Sequence, residues 1–561
     1  MSEPTRPIDL PGTRRPLEAD VCIVGAGPAG LSVAEVLSSA GVRVVLLEGG
    51  TEGAWRQLAD VRSDGEDAYP QSSVKETRGS GIGGTAGQWS YRMSNVDADA
   101  EAGERGCRYA PLDPIDFEQR AEVAHSGWPL TRSDLDPWYA KAQKISGLGE
   151  YAYHPSSWST PQAQPLDLDP TLVETQMFQF APASNWIDRV AGQLRTRAGV
   201  LILTDANVTR LEVDTAGTTV TGVHYARSAG AGGSVRARAV VLATGGIETA
   251  RLLLMSDDRI SGGLGNSKDQ VGRYWMEHPL VRGGMLVARP AGRLAERLKL
   301  YDAHWQGTTK VMAKLSIAPD RMRKEGLLST SCLFLPRHEV IAGGTVQAYN
   351  EIRSPSGRGS GLAHKALLGA KIALGAPALF NARKVIAEQP GLDHSGWSSA
   401  PDAGRFRVFE VIHQTEQSPD PDNRITLDRR TFDRFGRPMP LLRWRWTPED
   451  RRRITRSRNL YADALASAGL GDFVQTDWEN GQPRMLGGNH HHMGGVRMSA
   501  DPSTGVVDVN AKLHELSNLF VAGSSVFPSG GSVNPTLTIV ALSLRLGSHL
   551  VRELPGLPAL A

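Results

Sequence analysis

Near one end of this 561-residue chain three consecutive histidines, His490, His491 and His492, run into Met493-Gly494-Gly495, and a second segment, Gly531-Ser532-Val533-Asn534-Pro535-Thr536, follows. Imidazole has an unperturbed pKa of about 6.5, so a histidine here can accept a proton near neutral pH. Oxidation of an alcohol carbon needs such a base, because the carbonyl forms only if the hydroxyl proton leaves as hydride departs. Composition alone does not choose among the three histidines. The competing readings are a polar surface tract and a metal site. Consecutive histidines in an extended segment point to alternate sides, and no acidic or cysteine ligand stands close by in the sequence, so catalysis is favoured over a bound metal.

A departing hydride needs an acceptor, and the other end of the chain supplies a place for one. Val21-Cys22-Ile23-Val24 reads as a buried parallel strand and runs into Gly25-Ala26-Gly27-Pro28-Ala29-Gly30, while Val42 to Leu47 ends in Glu48. The glycines let the chain turn tightly and bring backbone amides to a pyrophosphate at a helix N-terminus. Glu48 is placed to accept hydrogen bonds from a ribose. Gly25, Gly27, Pro28, Ala29, Gly30 and Glu48 are therefore the expected dinucleotide contacts; the motif alone leaves FAD and NAD open.

The elements that must position these groups need a large core. At 561 residues the chain is expected to form two lobes. Lys plus Arg of 62 against Asp plus Glu of 60 is close to neutral, so no bulk charge argues for nucleic acid or an anionic membrane, and the expected partners are small molecules. Met1 to Asp20 lacks an apolar signal-like core, so the expected compartment is the cytoplasm. Ala366 to Ala387 is rich in alanine and leucine, but Lys371, Pro377, Arg383 and Lys384 interrupt it short of the roughly 20 apolar residues of a bilayer span. A helical insertion at about 360–395, broken near Gly375-Ala376-Pro377, is expected instead. Cys22, Cys107 and Cys332 are too few for a disulfide framework or metal cluster, and Cys22 reads as a core residue.

Three further stretches, Gly79-Ser80-Gly81-Ile82-Gly83-Gly84-Thr85, Val240-Val241-Leu242-Ala243-Thr244-Gly245-Gly246 and Leu519-Phe520-Val521-Ala522-Gly523-Ser524-Ser525, resemble the flavin-contacting segments of the glucose-methanol-choline (GMC) oxidoreductase family. The resemblance spans nearly the whole chain. It is nearest the branch of pyranose oxidases, glycoside oxidases and bacterial sugar dehydrogenases in Gly245-Gly246-Ile247-Glu248-Thr249-Ala250-Arg251, and in Glu416-Gln417 leading to Asn423-Arg424-Ile425-Thr426-Leu427. The implied fold is α/β: a discontinuous Rossmann-like FAD-binding domain and a substrate-binding domain with a β-sheet and a helical insertion, as in p-hydroxybenzoate hydroxylase. Where the flavin motifs fall, the FAD-binding domain is expected over 1–98, 195–290 and 485–561, and the substrate-binding domain over 99–194 and 291–484. Thr131, with Asp134 three positions on, marks a helix start in the second lobe. The alternation from Asp205 to Tyr225 suggests a small sheet around the adenine end.

The family's pattern His-x-x-Gly-x-x-x-Met is matched by His491, Gly494 and Met498, which implies His491 as the base. Asn534 falls at the second catalytic position and would donate to the substrate oxygen or hold it in register. The resemblance adds Gly49, Gly83, Gly84, Thr85, Trp89, Ala243, Gly245, Gly523, Pro535 and Thr536 to the cofactor set, with the backbone of Val208 at the adenine. His490 and His492 are supporting positions, His492 also a substrate-facing candidate, and His278 before Pro279 resembles a structural position. One departure matters. Pyranose oxidases that attach FAD covalently carry a histidine before the tryptophan of the flavin loop, where this chain reads Thr85-Ala86-Gly87-Gln88-Trp89. The FAD is therefore expected to be non-covalent, and Gln88 is left to face the flavin edge or the substrate.

The expected reaction is hydride transfer from a CH–OH donor to flavin N5, with a secondary hydroxyl of a sugar, glycoside or glycosylated natural product as the implied donor. Glu416 and Gln417 are candidate ligands for substrate hydroxyls, with a structural strand pair as the alternative. The reoxidant is oxygen, a quinone or another acceptor, and a homo-oligomer is compatible with the sequence. Two other classes compete: a lyase of the same fold that turns over with its flavin still oxidised, and a non-enzymatic flavin-binding protein.

Overall fold

A computed structural model describes residues 16–556 apart from 52–55, 59–60, 64–73, 90, 94–104, 183–185, 229, 231, 289–292, 338–360, 371–372, 374–395, 400–405, 476–477, 480–481 and 484. The strand Leu17–Val24 lies at the centre of a seven-stranded sheet. It pairs in parallel with Val44–Leu47 on one side, Val21 opposite Val44 and Val24 opposite Leu47, and with Gly233–Leu242 on the other. Both of its faces are covered, which is why the run is apolar rather than alternating: Val21, Cys22 and Ile23 are fully buried. Cys22 is thus the core residue expected. Val200–Leu203 extends the parallel sheet beyond Val44–Leu47, and Leu519–Val521 pairs with the end of Gly233–Leu242.

The helix Pro28–Ser39 begins at a proline, which has no amide proton to leave unpaired in a first turn. It packs against Thr536–Glu553, the helix that follows Asn534-Pro535. These two helices bring the first and last motifs of the sequence to one side of the sheet. Asn207–Val213 and Val220–Ala226 form an antiparallel pair, but not a separate sheet; Val223 opposite Val235 joins them to the main one. Alternation reports a half-covered strand, not the strand's neighbour.

A ten-stranded antiparallel sheet forms the second layer, in the order Asp472–Val474, Pro279–Val287, Val408–Thr415, Thr330–Arg337, Thr309–Ile317, Val173–Pro182, Arg105–Tyr109 and Tyr91–Arg92, with His304–Gln306 and Met485–Gly488 alongside. Tyr91–Arg92, Pro279–Val287 and Met485–Gly488 therefore join this sheet although the expected division gave them to the cofactor blocks. The helix Ile187–Thr196, expected in the other lobe, packs against Pro28–Ser39. Each lies where the chain crosses between layers, and a local pattern there does not say which sheet a strand joins. We propose the crossings themselves as the domain boundaries.

Thr131 caps the helix Arg132–Ile145 as its spacing predicts: its hydroxyl accepts from Asp134 N at 3.3 Å, and the Asp134 carboxylate accepts from Thr131 N at 2.7 Å. Of the insertion, 362–370 is helical; the break expected near Gly375-Ala376-Pro377 lies outside the described residues, as does most of the polar segment Met1 to Asp20. Among the described residues no helix is long and apolar enough to cross a membrane.

Candidate active site

The glycine turn after Leu17–Val24 opens on a cavity of about 1110 Å³. Gly27 caps Pro28–Ser39, and a Cβ placed on it would meet nothing nearer than Gly84 Cα at 4.0 Å, so a ligand can approach the backbone there. Gly30 has a different duty. A Cβ at that position would lie 1.9 Å from the Gly25 carbonyl oxygen, and Gly30 does not line the cavity. Its expected cofactor contact is corrected to a packing role, closing the helix onto the strand.

Glu48 stands at the cavity wall with its carboxylate held by three backbone amides. Its Oε2 accepts from Ala26 N at 2.9 Å, and its Oε1 from Gly50 N and Gly81 N, each at 2.8 Å. One carboxylate thus pins the glycine turn, its own strand end and the loop that begins at Gly79. Of its roughly four acceptor positions, one remains for a ligand hydroxyl. Gly83, which does not line the cavity, donates its amide to Ala26 O at 2.8 Å and straps the Gly84–Gln88 turn against the glycine turn.

The remaining expected cofactor residues, Gly25, Pro28, Ala29, Gly49, Gly84, Thr85, Trp89, Val208, Ala243, Gly245, Gly523, Pro535 and Thr536, line this same cavity, together with Gln88, His491, His492 and Asn534. Pro535 and Thr536 begin the 18-residue helix Thr536–Glu553, so the positive end of its dipole opens on the cavity. The Oδ1 of Asn534 is buried without a partner among the described residues. Such an acceptor is costly to leave unsatisfied and marks a place where a ligand donor belongs.

The histidine loop is clamped from two sides. Met493 and Met276 exchange backbone bonds of 3.0 and 2.8 Å, and Gly494 N donates to Ser524 O at 2.9 Å. Gly494 has φ of 74° and lies so close to the 274–276 segment that a Cβ would fall 2.0 Å from Tyr274 O, which explains the glycine. Glu277, fully buried, accepts the amides of His278 and His491 on its Oε1, both at 2.8 Å. The two rings face each other, Nδ1 to Nδ1, at 2.9 Å. Burial, then the neighbouring His278 and the Arg108 guanidinium, push the His491 pKa well below the ordinary histidine value. His491 is a neutral imidazole at neutral pH.

His492 is placed differently. Its Nε2 lies 3.0 Å from Thr77 Oγ1, and that hydroxyl donates to Val74 O at 2.6 Å. A hydroxyl has one proton, so the His492 Nε2 carries the hydrogen and spends it on Thr77. The ring lies against Trp275, and burial followed by the Arg78 charge lowers its pKa to about 3. That geometry makes it a buttress for the loop.

Glu416 and Gln417 do not reach the cavity, and their reading as substrate ligands is corrected. Glu416 is fully buried, 3.1 Å from Arg120 Nη2, and takes Ser329 N at 3.0 Å. Gln417 accepts from Glu277 N at 3.2 Å and from Trp444 Nε1 at 3.1 Å, and donates to Arg445 O at 2.8 Å. Both tie the strands beneath the site together, which was the structural alternative.

Several cavity residues escaped sequence reasoning. Glu248 and Arg251 fell within a motif read only for its resemblance; Arg78 bonds Glu248, which lies 3.1 Å from Arg251, and Arg251 bonds Asp433 at 2.6 Å. Phe432 to Phe435, at the turn that joins the paired strands Arg424–Phe432 and Pro438–Arg443, line the same cavity as Val208. No spacing relates that stretch to the glycine turn. Glu277 had one usable signal, an acid directly before His278-Pro279. Among the described residues no group of three or more His, Cys, Asp or Glu is arranged to hold a metal ion.

Two family models match the chain: an FAD binding domain over residues 18–61 and GMC oxidoreductase over residues 419–543. The chain is 26% identical to the fructose dehydrogenase large subunit of Gluconobacter japonicus, covering 96% of this chain and 98% of that one. It is 25% identical to 2-methyl-1,2-propanediol dehydrogenase of Mycolicibacterium austroafricanum, covering 96% of each. In fold it is similar to a solved formate oxidase, with a TM-score of 0.53, 16% identity, and coverage of 97% of this chain and 99% of that one.

Proposed function

Because this chain belongs to the GMC oxidoreductases and is an FAD-dependent enzyme, we propose that it oxidises a secondary hydroxyl of a sugar, glycoside or related polyol, with His491 as base. The observation that carries this reading is the shared cavity: a neutral His491 and the unpartnered Asn534 Oδ1 border the same space as the glycine turn and Glu48. The residues fit FAD. Gly27 offers open backbone for the pyrophosphate, Glu48 has an acceptor position for the ribose, the backbone of Val208 lines the cavity where the adenine would lie, and Thr536 begins a helix whose positive end would favour negative charge developing on the ring as it takes up hydride.

When bound, FAD supplies the acceptor for the hydride. His491 takes the hydroxyl proton as the carbonyl forms, and a neutral ring is ready to do so without first losing a proton. Asn534 would donate from its carboxamide Nδ2 to the substrate oxygen, which keeps the carbon in line for transfer. Gln88 stands at the position where a covalent link would need a histidine; a carboxamide cannot form that link, which supports dissociable FAD. The likeness to enzymes named for fructose and for a 1,2-diol supports a polyhydroxylated donor.

The test is anaerobic mixing of the yellow holoenzyme with sugars, glycosides, diols and simple alcohols while the flavin absorbance is followed. Bleaching by a polyol is the expected outcome. Turnover with the flavin still oxidised would mean a lyase, and no bleaching with any alcohol would end the oxidase reading.

A further inference from the structure

We propose that His278 is a positioning residue that fixes the ring tautomer of His491, making Nε2 the nitrogen that accepts the substrate proton. The proposal rests on the reading of His491 as base and specifies which atom of it reacts.

The rings of His278 and His491 stand nearly perpendicular, at 87°, with centroids 5.1 Å apart and the two Nδ1 atoms separated by 2.9 Å. Two facing nitrogens at this distance hold one proton between them, so one ring donates and the other accepts. The far side of His278 decides which. Its Nε2 lies 3.3 Å from the carbonyl oxygen of Gly530, and a carbonyl only accepts. His278 therefore carries its hydrogen on Nε2, and its Nδ1 holds a lone pair. His491 must donate from Nδ1 to that lone pair. In a neutral imidazole the other nitrogen is then unprotonated, so Nε2 is the basic atom of a residue that lines the cavity.

The reverse arrangement would turn the His278 Nε2 lone pair against the Gly530 oxygen. A doubly protonated ring is disfavoured because among the described residues no carboxylate bonds either imidazole: the nearby Glu277 Oε1 is occupied by the two backbone amides. His278 is fully buried, its carbonyl is held by Asn489 Nδ2 at 2.9 Å, and rotating the ring would break both of its nitrogen contacts. Gly530 begins the Gly530–Asn534 loop that ends in the other catalytic candidate. One proton-ordered chain, from Gly530 through His278 to His491, thus couples the base to the loop that holds the substrate oxygen.

The substitutions that test this differ in what they leave for His491 to donate to. An asparagine oxygen can occupy the place of a histidine Nδ1, whereas leucine fills the space and accepts nothing. In anaerobic stopped flow, His278→Leu is expected to slow the limiting rate of flavin reduction by about 10²-fold or more, the scale of a base held in the wrong tautomer. Its apparent substrate affinity should change by less than about 3-fold, and His278→Asn should restore most of the rate. Equal slowing by Leu and Asn, or a loss of affinity with the limiting rate intact, overturns the proposal. If His278→Leu does not fold, the wild-type holoenzyme still decides. With 15N in the histidine rings, the imine-type resonance lost in His491→Gln must show the two-carbon-proton coupling pattern of Nε2; the pattern of Nδ1 overturns the proposal. That spectrum needs no turnover, so it stands even if no alcohol bleaches the flavin.

Discussion

Glu277 and His491 are joined through the backbone: the amide of His491 donates to Glu277 Oε1 at 2.8 Å. His491 is therefore held by its main chain at one end and faces His278 through its Nδ1 at the other, and the remaining edge of the ring is the one a substrate would meet if His491 is the base. That arrangement makes His491 distinguishable from its neighbours by experiment.

If His491 is the base, His491→Ala should retain FAD but reduce it roughly 10² to 10⁴ times more slowly under anaerobic conditions, the usual contribution of general-base catalysis. Asn534→Ala should cost less. His490, exposed at the cavity rim, provides the control, and His490→Ala should stay close to wild type. Equal slowing by the His490 and His491 replacements in stopped flow would refute the assignment.

The pH dependence follows from the direction of the His491 shift. Burial and neighbouring positive charge lower its pKa well below 6.5, so the active neutral form persists as pH falls through the range where an ordinary histidine takes up a proton. The limiting rate of flavin reduction should therefore be flat through neutrality and decline only at more acidic pH. A midpoint at or above about 6.5 would contradict the burial argument.

Glu48 carries three buried amides as well as its proposed place at the ribose. Its replacement should thus loosen the glycine turn together with the ligand contact. We expect Glu48→Ala to weaken FAD binding by about 1 to 3 kcal/mol, roughly 5- to 150-fold in Kd at about 1.4 kcal/mol per tenfold. Titration of apoprotein with FAD, followed by quenching of flavin fluorescence, measures it; an unchanged Kd would remove Glu48 from the cofactor site.

Gln88 lines the cavity in the short turn Gly84–Gln88. With no histidine there to bond the flavin, acid precipitation of the holoenzyme should leave FAD in the supernatant. Yellow colour that stays with the washed, denatured pellet would show a covalent link formed elsewhere.

Much of the cofactor cradle was legible because its signals are local. Leu17–Val24, the glycine turn, the proline-started helix and Glu48 lie within one short stretch, and steric demands on the backbone restrict which residues can stand there. The Thr131 cap was legible for the same reason, being a bond between residues three apart. Gly30 shows the limit even here: its place in the motif was plain, but only the 1.9 Å approach to Gly25 O shows that it serves packing and not the ligand.

By itself, then, the sequence determined the dinucleotide turn, the α/β class and a histidine loop able to do base chemistry, since strand periodicity, turn chemistry and motif spacing are encoded among near neighbours. Tertiary structure decided which acids and amides matter. Glu416 looked available and is locked to Arg120, while Glu277, one residue from His278, proved to hold the loop. It also decided that His278 faces His491, that His492 turns to Thr77, and that Phe432 to Phe435 line the same cavity as Val208. The physical reason is that a side chain's partner depends on which strands are neighbours across the two sheets. Those pairings join residues hundreds of positions apart, whose packing no local pattern specifies.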